Sequence, residues 1–133
     1  MTSAARREQL AAVSLFRGLS PRALERVDTL GTELEVRAGR PLTVEGAVAR
    51  EAFVILDGEV EVLSGDKRVA TVGAGDVLGE MALVDNRPRT ATARALTDVR
   101  VLVLDVRGFW SLLEEPLVAE RVLEMASVRR SDG

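Results

Sequence analysis

The stretch Phe53-Val54-Ile55-Leu56-Asp57-Gly58-Glu59-Val60-Glu61-Val62 decides the fold. Glu59 to Val62 alternates charged and apolar residues with a period of two, the mark of a strand with one face in a core. Phe53 to Leu56 is a short apolar run of strand-forming residues. Asp57-Gly58 between them is a strong hairpin signal, since a type I′ turn needs positive φ at both central positions. The same punctuation repeats outward. Ser64-Gly65-Asp66 precedes Arg68 to Val72, and Gly73-Ala74-Gly75-Asp76 marks the next turn. Thr90 to Leu96 and Val99 to Leu104 are further strands, with Thr97-Asp98 between them. Upstream, Glu33-Leu34-Glu35-Val36-Arg37 also alternates. Short strands at a spacing of about ten residues, separated by glycine-rich turns, imply a sandwich or a jelly-roll barrel.

Helical periodicity flanks this core. Leu10, Val13 and Phe16 recur at i, i+3 spacing and predict one helix stopped by Gly18. Ser20-Pro21 predicts the start of a second, with Ser20 as cap and Pro21 at the first helical position. Leu24, Val27 and Leu30 form its stripe, and Gly31 is its expected terminator. Phe109, Trp110, Leu112 and Leu113 predict a short helix stopping before Pro116. Val118, Val122 and Met125, joined by Ala119 and Ala126, predict a final amphipathic helix from about Leu117. Arg129 to Gly133 reads as a frayed polar tail.

Composition narrows the chemistry. The 133 residues make one domain, 47% hydrophobic and 29% charged, with a core that must be aliphatic because aromatics are only 3%. There is no cysteine and no histidine. That excludes thiolate metal sites, cysteine nucleophiles and Ser-His-Asp catalysis. A net charge of −3 gives no basic footprint for nucleic acid. No apolar run approaches a membrane span and no signal peptide is recognisable, so a cytoplasmic setting is expected.

One stretch carries chemistry: Gly75-Asp76-Val77-Leu78-Gly79-Glu80-Met81-Ala82-Leu83-Val84-Asp85-Asn86-Arg87-Pro88-Arg89-Thr90-Ala91-Thr92. A strand ends at Gly79, and Glu80 to Leu83 are helix formers whose first N–H groups would face an anion. Gly79 lets a ligand approach the backbone. Arg89 and Thr90, expected at the start of a strand of small residues, would clamp a phosphate with a guanidinium and a hydroxyl.

This stretch resembles the phosphate-binding cassette of the cyclic nucleotide-binding domain family, the sensor module of catabolite-activator-type regulators and cyclic-nucleotide-dependent kinases. The matching residues are Gly79-Glu80-Met81-Ala82-Leu83 and Arg89-Thr90-Ala91-Thr92, with Gly46, the Asp57-Gly58 turn and Gly75-Asp76 upstream. The resemblance implies a mainly β fold with flanking helices. That fold is a jelly-roll barrel (a double-stranded β-helix) at about 33–105, with N-terminal helices at about 3–31, a cassette at 79–91 and C-terminal helices at 107–130. It implies that Glu80 accepts the ribose 2′-OH and that Arg89 pairs with the exocyclic phosphate oxygens. Met81 and Ala82 would give N–H groups to the phosphate, Thr90 would touch phosphate or base, and Leu78 and Val72 would line the purine pocket.

The implied function is a sensor domain for cAMP or cGMP that signals by moving its C-terminal helices, with no other cofactor and no metal. Asp85 with Glu80 would be a carboxylate pair for acid–base work, but Asp85 falls in the family's variable loop, so no catalytic residue is expected. An enzyme of the cupin jelly-roll type would need histidine ligands. The alternative is the same barrel with an idle pocket, acting as a protein-interaction or dimerisation module. Activator-type members continue into a long dimerising helix and a winged helix-turn-helix, which this sequence lacks, so a stand-alone sensor or an excised module without DNA binding is expected. Its further partners would be an unknown effector protein or domain and, at most, a weak homodimer, with no membrane.

Overall fold

The computed structural model describes residues 3–132, and the side chains of residues 4–127. Among these residues the strands form two antiparallel four-stranded sheets. The first has the order β1 (Thr32–Val36), β8 (Val99–Asp105), β3 (Glu51–Asp57), β6 (Val77–Leu78). The second has the order β2 (Pro41–Thr43), β7 (Thr92–Ala95), β4 (Glu59–Ser64), β5 (Lys67–Gly73). The helices are α1 (Ser3–Ala11), α2 (Pro21–Leu30), α3 (Glu80–Asp85), α4 (Val106–Leu112) and α5 (Pro116–Asp132). This is the mainly β jelly roll with flanking helices that the sequence pattern and the resemblance imply.

The central strands β3 and β8 of the first sheet are buried on both faces, which explains why β3 reads as a continuous apolar run rather than an alternation. Phe53 and Ile55 face the barrel interior with Val60, Ala93, Ala95, Val99 and Val101. Ala52, Val54 and Leu56 face the helices, joined by Leu102 and Leu104 from β8. The helical side of that core takes Leu10, Val13 and Phe16, Val27, Phe109, Leu112, and the stripe Val118, Val122, Ala126 of α5. The second sheet has one solvent face, and Glu61 and Arg94 pair across it.

Several expectations change on contact with tertiary structure. Asp57-Gly58 does not close a hairpin. β3 pairs with β8 and β6, whereas β4 pairs with β5 and β7, so the chain changes sheets at Gly58. Gly58 has φ +97, and a Cβ there would sit 2.5 Å from the carbonyl oxygen of Asp98. Thr97-Asp98 is the corner where β7 passes to β8, again between sheets, and Glu59 N–H donates to Thr97 Oγ1 at 3.0 Å. The glycine is thus needed for two corners to touch. The tight hairpin is instead β4–β5, where Ser64 faces Lys67 across Gly65-Asp66.

The predicted first helix ends at Ala11, and Ser14–Phe16 form a separate 3₁₀ turn. Ser14 N–H donates to the carbonyl of Gly75 at 3.2 Å, a bond from the barrel that replaces the helical one. Leu10, Val13 and Phe16 remain fully buried. Ser20 caps α2 as expected, its oxygen accepting from Ala23 N–H at 3.1 Å. Gly31, however, is extended (φ −124) rather than left-handed. Its missing side chain admits β8, since a Cβ would lie 2.7 Å from Leu102 Cγ and 2.8 Å from the Val103 carbonyl oxygen. The supposed frayed tail is helical as far as Asp132, because nothing before Gly133 breaks a helix already nucleated; Gly133 lies outside the described residues.

An ion-pair cluster ties the helices to the first sheet. Arg6 bonds Asp28, and Glu33 accepts from Arg6 at 3.5 Å and from Arg100 at 3.3 Å. Hydrogen bonding from Arg100 holds the Glu33 carboxyl below its ordinary value of 4.5, and Asp28 raises Arg6. A depressed carboxyl stabilises the fold fully above the unfolded-chain value and loses that contribution as pH falls through the folded value. Glu33→Gln should therefore lower the urea midpoint at pH 7 and narrow the gap between pH 7 and pH 3.5. Parallel midpoints for both proteins across that range would show that the cluster carries no acid sensitivity.

Candidate functional site

The cassette is built where β6 runs out. Gly79 is left-handed (φ +82) and turns the chain from β6 into α3. A helix of this length leaves its first-turn N–H groups without intrahelical acceptors, and Gly79 has no side chain to cap them. Asn86, also left-handed (φ 52), ends α3, its N–H donating to the Ala82 carbonyl. The chain then passes Pro88 and returns to Arg89.

Arg89 is the centre of the site. The residue is only 7% exposed. Nη1 donates to the Gly79 carbonyl at 2.9 Å and Nη2 to the Glu51 carbonyl at 2.5 Å. The guanidinium therefore bridges the start of the cassette to the first residue of β3. Burial pushes its pKa down, and the carboxylates of Glu51 and Glu80 push it back up. An arginine so placed stays charged at neutral pH. Glu80 is 3% exposed, the first residue of α3.

One pocket of about 180 Å³ gathers these groups. Of the residues singled out from sequence, Leu78, Gly79, Glu80, Met81, Ala82, Arg89 and Thr90 all line it. Val72 does not. It lies on β5 and borders a separate cleft of about 600 Å³ between the 3₁₀ turn and α5, with Leu15, Val77, Arg121 and Met125. It also packs against the barrel-side core, as Leu78 does. Thr90 is exposed in a bend, and the strand begins only at Thr92.

Thr43, Val62 and Ala93 complete the wall from β2, β4 and β7. No local pattern marks them, because their placement follows from which strands pair. Arg87 lines the rim and pairs with Asp85 at 2.7 Å while largely exposed.

Comparison with known proteins gives one consistent result. The cyclic nucleotide-binding domain family model matches residues 33–116. A cyclic nucleotide-gated potassium channel of Rhizobium etli is 37% identical over 122 residues, 91% of this chain and 34% of the channel. The cyclic AMP receptor protein of Thermus thermophilus is 31% identical over 124 residues, 86% of this chain and 56% of that protein. The chain thus spans between a third and about half of the length of these two relatives. Among solved structures, PKAR CBD2 with Sp-2Cl-cAMPS bound superposes with a TM-score of 0.79 at 26% identity, covering 98% of this chain and 94% of that one. The resemblance seen in the sequence is borne out.

Gly79 tests the local architecture. A Cβ there would lie 2.4 Å from Arg89 Nη1, whereas one at Gly39 (φ +89) would meet nothing within 4 Å. Both alanine substitutions carry the left-handed penalty of about 1–2 kcal/mol. Only Gly79→Ala must also displace the buried guanidinium, so its melting temperature should fall well below that of Gly39→Ala. Equal falls would show that Arg89 yields freely.

Proposed function

The chain belongs to the cyclic nucleotide-binding domain family, and from that premise we propose that it binds a 3′,5′-cyclic purine nucleotide, cAMP or cGMP, and passes the event to α5. The observation that carries this reading is the meeting, in one pocket, of a buried guanidinium with the glycine-started first turn of α3. A cyclic phosphate bears one negative charge and presents its exocyclic oxygens side by side, which suits a guanidinium and adjacent N–H groups. In this reading Arg89 holds those oxygens, the N–H groups of Met81 and Ala82 share them, and Glu80 accepts the ribose 2′-OH. Thr90, at the open side, is left for phosphate or base, and Leu78 lies against the sugar and purine. Relatives named for cyclic AMP and for cyclic nucleotide gating support the ligand class.

The route to α5 runs through shared packing. Met81 and Leu83 of α3 belong to the same core as Val118, Val122 and Ala126 of α5. Val77 borders both the cassette pocket and the cleft under α5. Arg121 fastens α5 to the 3₁₀ turn by donating to the Leu15 carbonyl at 3.0 Å. A ligand that changes how α3 packs therefore acts on the surface that α5 rests upon. To shift α5 it must bind the two arrangements with different affinity. The effector beyond α5 is a further part of the proposal: in the relatives the module serves proteins as different as a channel and a receptor protein.

The test is binding. Saturating cAMP or cGMP at a hundredfold excess over Kd stabilises the fold by about 2.7 kcal/mol, a shift of several degrees in melting temperature. The linear 5′-monophosphate should do less, since its phosphate is not tied to the 3′ oxygen. Arg89→Ala strands a phosphate charge and should weaken binding about 30-fold or more. Glu80→Gln should shrink the shift, and hydrogen exchange should show protection at 80–83 with a changed pattern in 117–127. Absence of any shift with either nucleotide at millimolar concentration would favour the idle-pocket interaction module instead.

A further inference from the structure

The main chain of Arg89 is held by a segment far away in sequence. Residues 44–47, which follow β2, run beside residues 89–92 without forming a regular ladder. Arg89 N–H donates to the Ala47 carbonyl at 2.9 Å, and Gly46 N–H donates to the Arg89 carbonyl at 2.8 Å. Glu45 N–H donates to Thr92 Oγ1 at 3.0 Å. At the head of this run the β2–β7 register shifts between Pro41 and Thr43. There the Thr43 hydroxyl stands in for main-chain rungs. It donates to the Ala91 carbonyl at 3.2 Å and accepts from Ala93 N–H at 3.0 Å. A hydroxyl has one proton to give, so Thr43 spends it on the strand and offers no proton to a ligand. Ala93 is 3% exposed, so its N–H has little access to water as a substitute. Thr43 lines the same pocket as Arg89.

We propose that Thr43 is a positioning residue for nucleotide binding. Its hydroxyl bridges the irregularity between β2 and β7 and sets the main chain from Arg89 to Ala93, and so the point from which the guanidinium meets the phosphate. This rests on the reading of the pocket as a cyclic nucleotide site. The side-chain chemistry is specific: valine has the same shape but neither bond, while serine keeps both. Losing the hydroxyl leaves a buried N–H and a carbonyl to find partners by moving the strand entry, and Arg89 moves with it.

The test is a double-mutant cycle. Thr43→Val and Thr43→Ser are each made with Arg89 intact and with Arg89→Ala, and cAMP and cGMP affinities are measured by calorimetry. With Arg89 present, Thr43→Val should weaken binding about tenfold and Thr43→Ser less than about twofold. With Arg89→Ala, Thr43→Val should change affinity by less than about twofold, since no guanidinium remains to be placed. A merely structural role would cost the same in both backgrounds. Wild-type-like binding by Thr43→Val, or equal losses in both backgrounds, overturns the proposal. Should Thr43→Val fail to fold, Thr43→Ala goes through the same cycle. If the wild-type protein binds neither nucleotide, the fault lies with the pocket reading. The positioning claim is then decided on ligand-free protein: amide signals of Arg89 and Ala93 should move in Thr43→Val and stay in Thr43→Ser, and unmoved signals in both would refute it.

Discussion

A charged guanidinium buried against two carbonyl oxygens is the constraint around which the site is arranged. Taking Arg89 out of water is costly unless its N–H groups are met and its charge is opposed. Gly79 and Glu51 supply the oxygens, and the carboxylates of Glu51 and Glu80 supply the opposing charge. Each has a structural consequence. Gly79 must lack a side chain because the guanidinium occupies the space a Cβ would need. Glu51 begins β3, so the cassette is fastened to a central strand of the sheet that both cores share.

That sheet explains how a pocket on the barrel can concern a helix outside it. Alternate residues of β3 and β8 point to the barrel and to the helical layer. α3 and α5 enter the same helical-side core, and close-packed cores pass displacement on rather than absorbing it. The N-terminal 3₁₀ turn links the barrel to α5. Its Ser14 N–H donates to the Gly75 carbonyl on the barrel side, and its Leu15 carbonyl accepts from Arg121 of α5 on the other. The cassette, the turn and α5 are therefore neighbours through few steps, although they are widely separated in the chain.

Much of the site was legible in sequence because it is local. Gly79-Glu80-Met81-Ala82 and Arg89 lie within about ten residues, and the loop joining them is closed by its own bonds, such as Arg87 N–H to the Ala82 carbonyl. The wall formed by Thr43 and Val62 was not legible, and Val72 borders a neighbouring cleft and not the cassette pocket. These positions depend on strand order, and a period of two gives the face of a strand without naming its neighbours.

The sequence by itself determined most strand and helix segments, though not β2, and also the cap at Ser20, the aliphatic core and the cassette. Each of these rests on periodicity, on side-chain type or on a bond to a residue nearby. Tertiary structure alone decided that Asp57-Gly58 is a crossing between sheets and not a hairpin. It also decided that Gly31, where α2 does end, is extended and makes room for β8, and that the first helix stops at Ala11. In each case the local preference was real, but the deciding partner came from elsewhere in the chain: the Asp98 carbonyl, the Leu102 side chain, the Gly75 carbonyl. A turn propensity is worth about a kilocalorie per mole, whereas pairing a whole strand and burying its side chains is worth several, so the larger nonlocal term prevails.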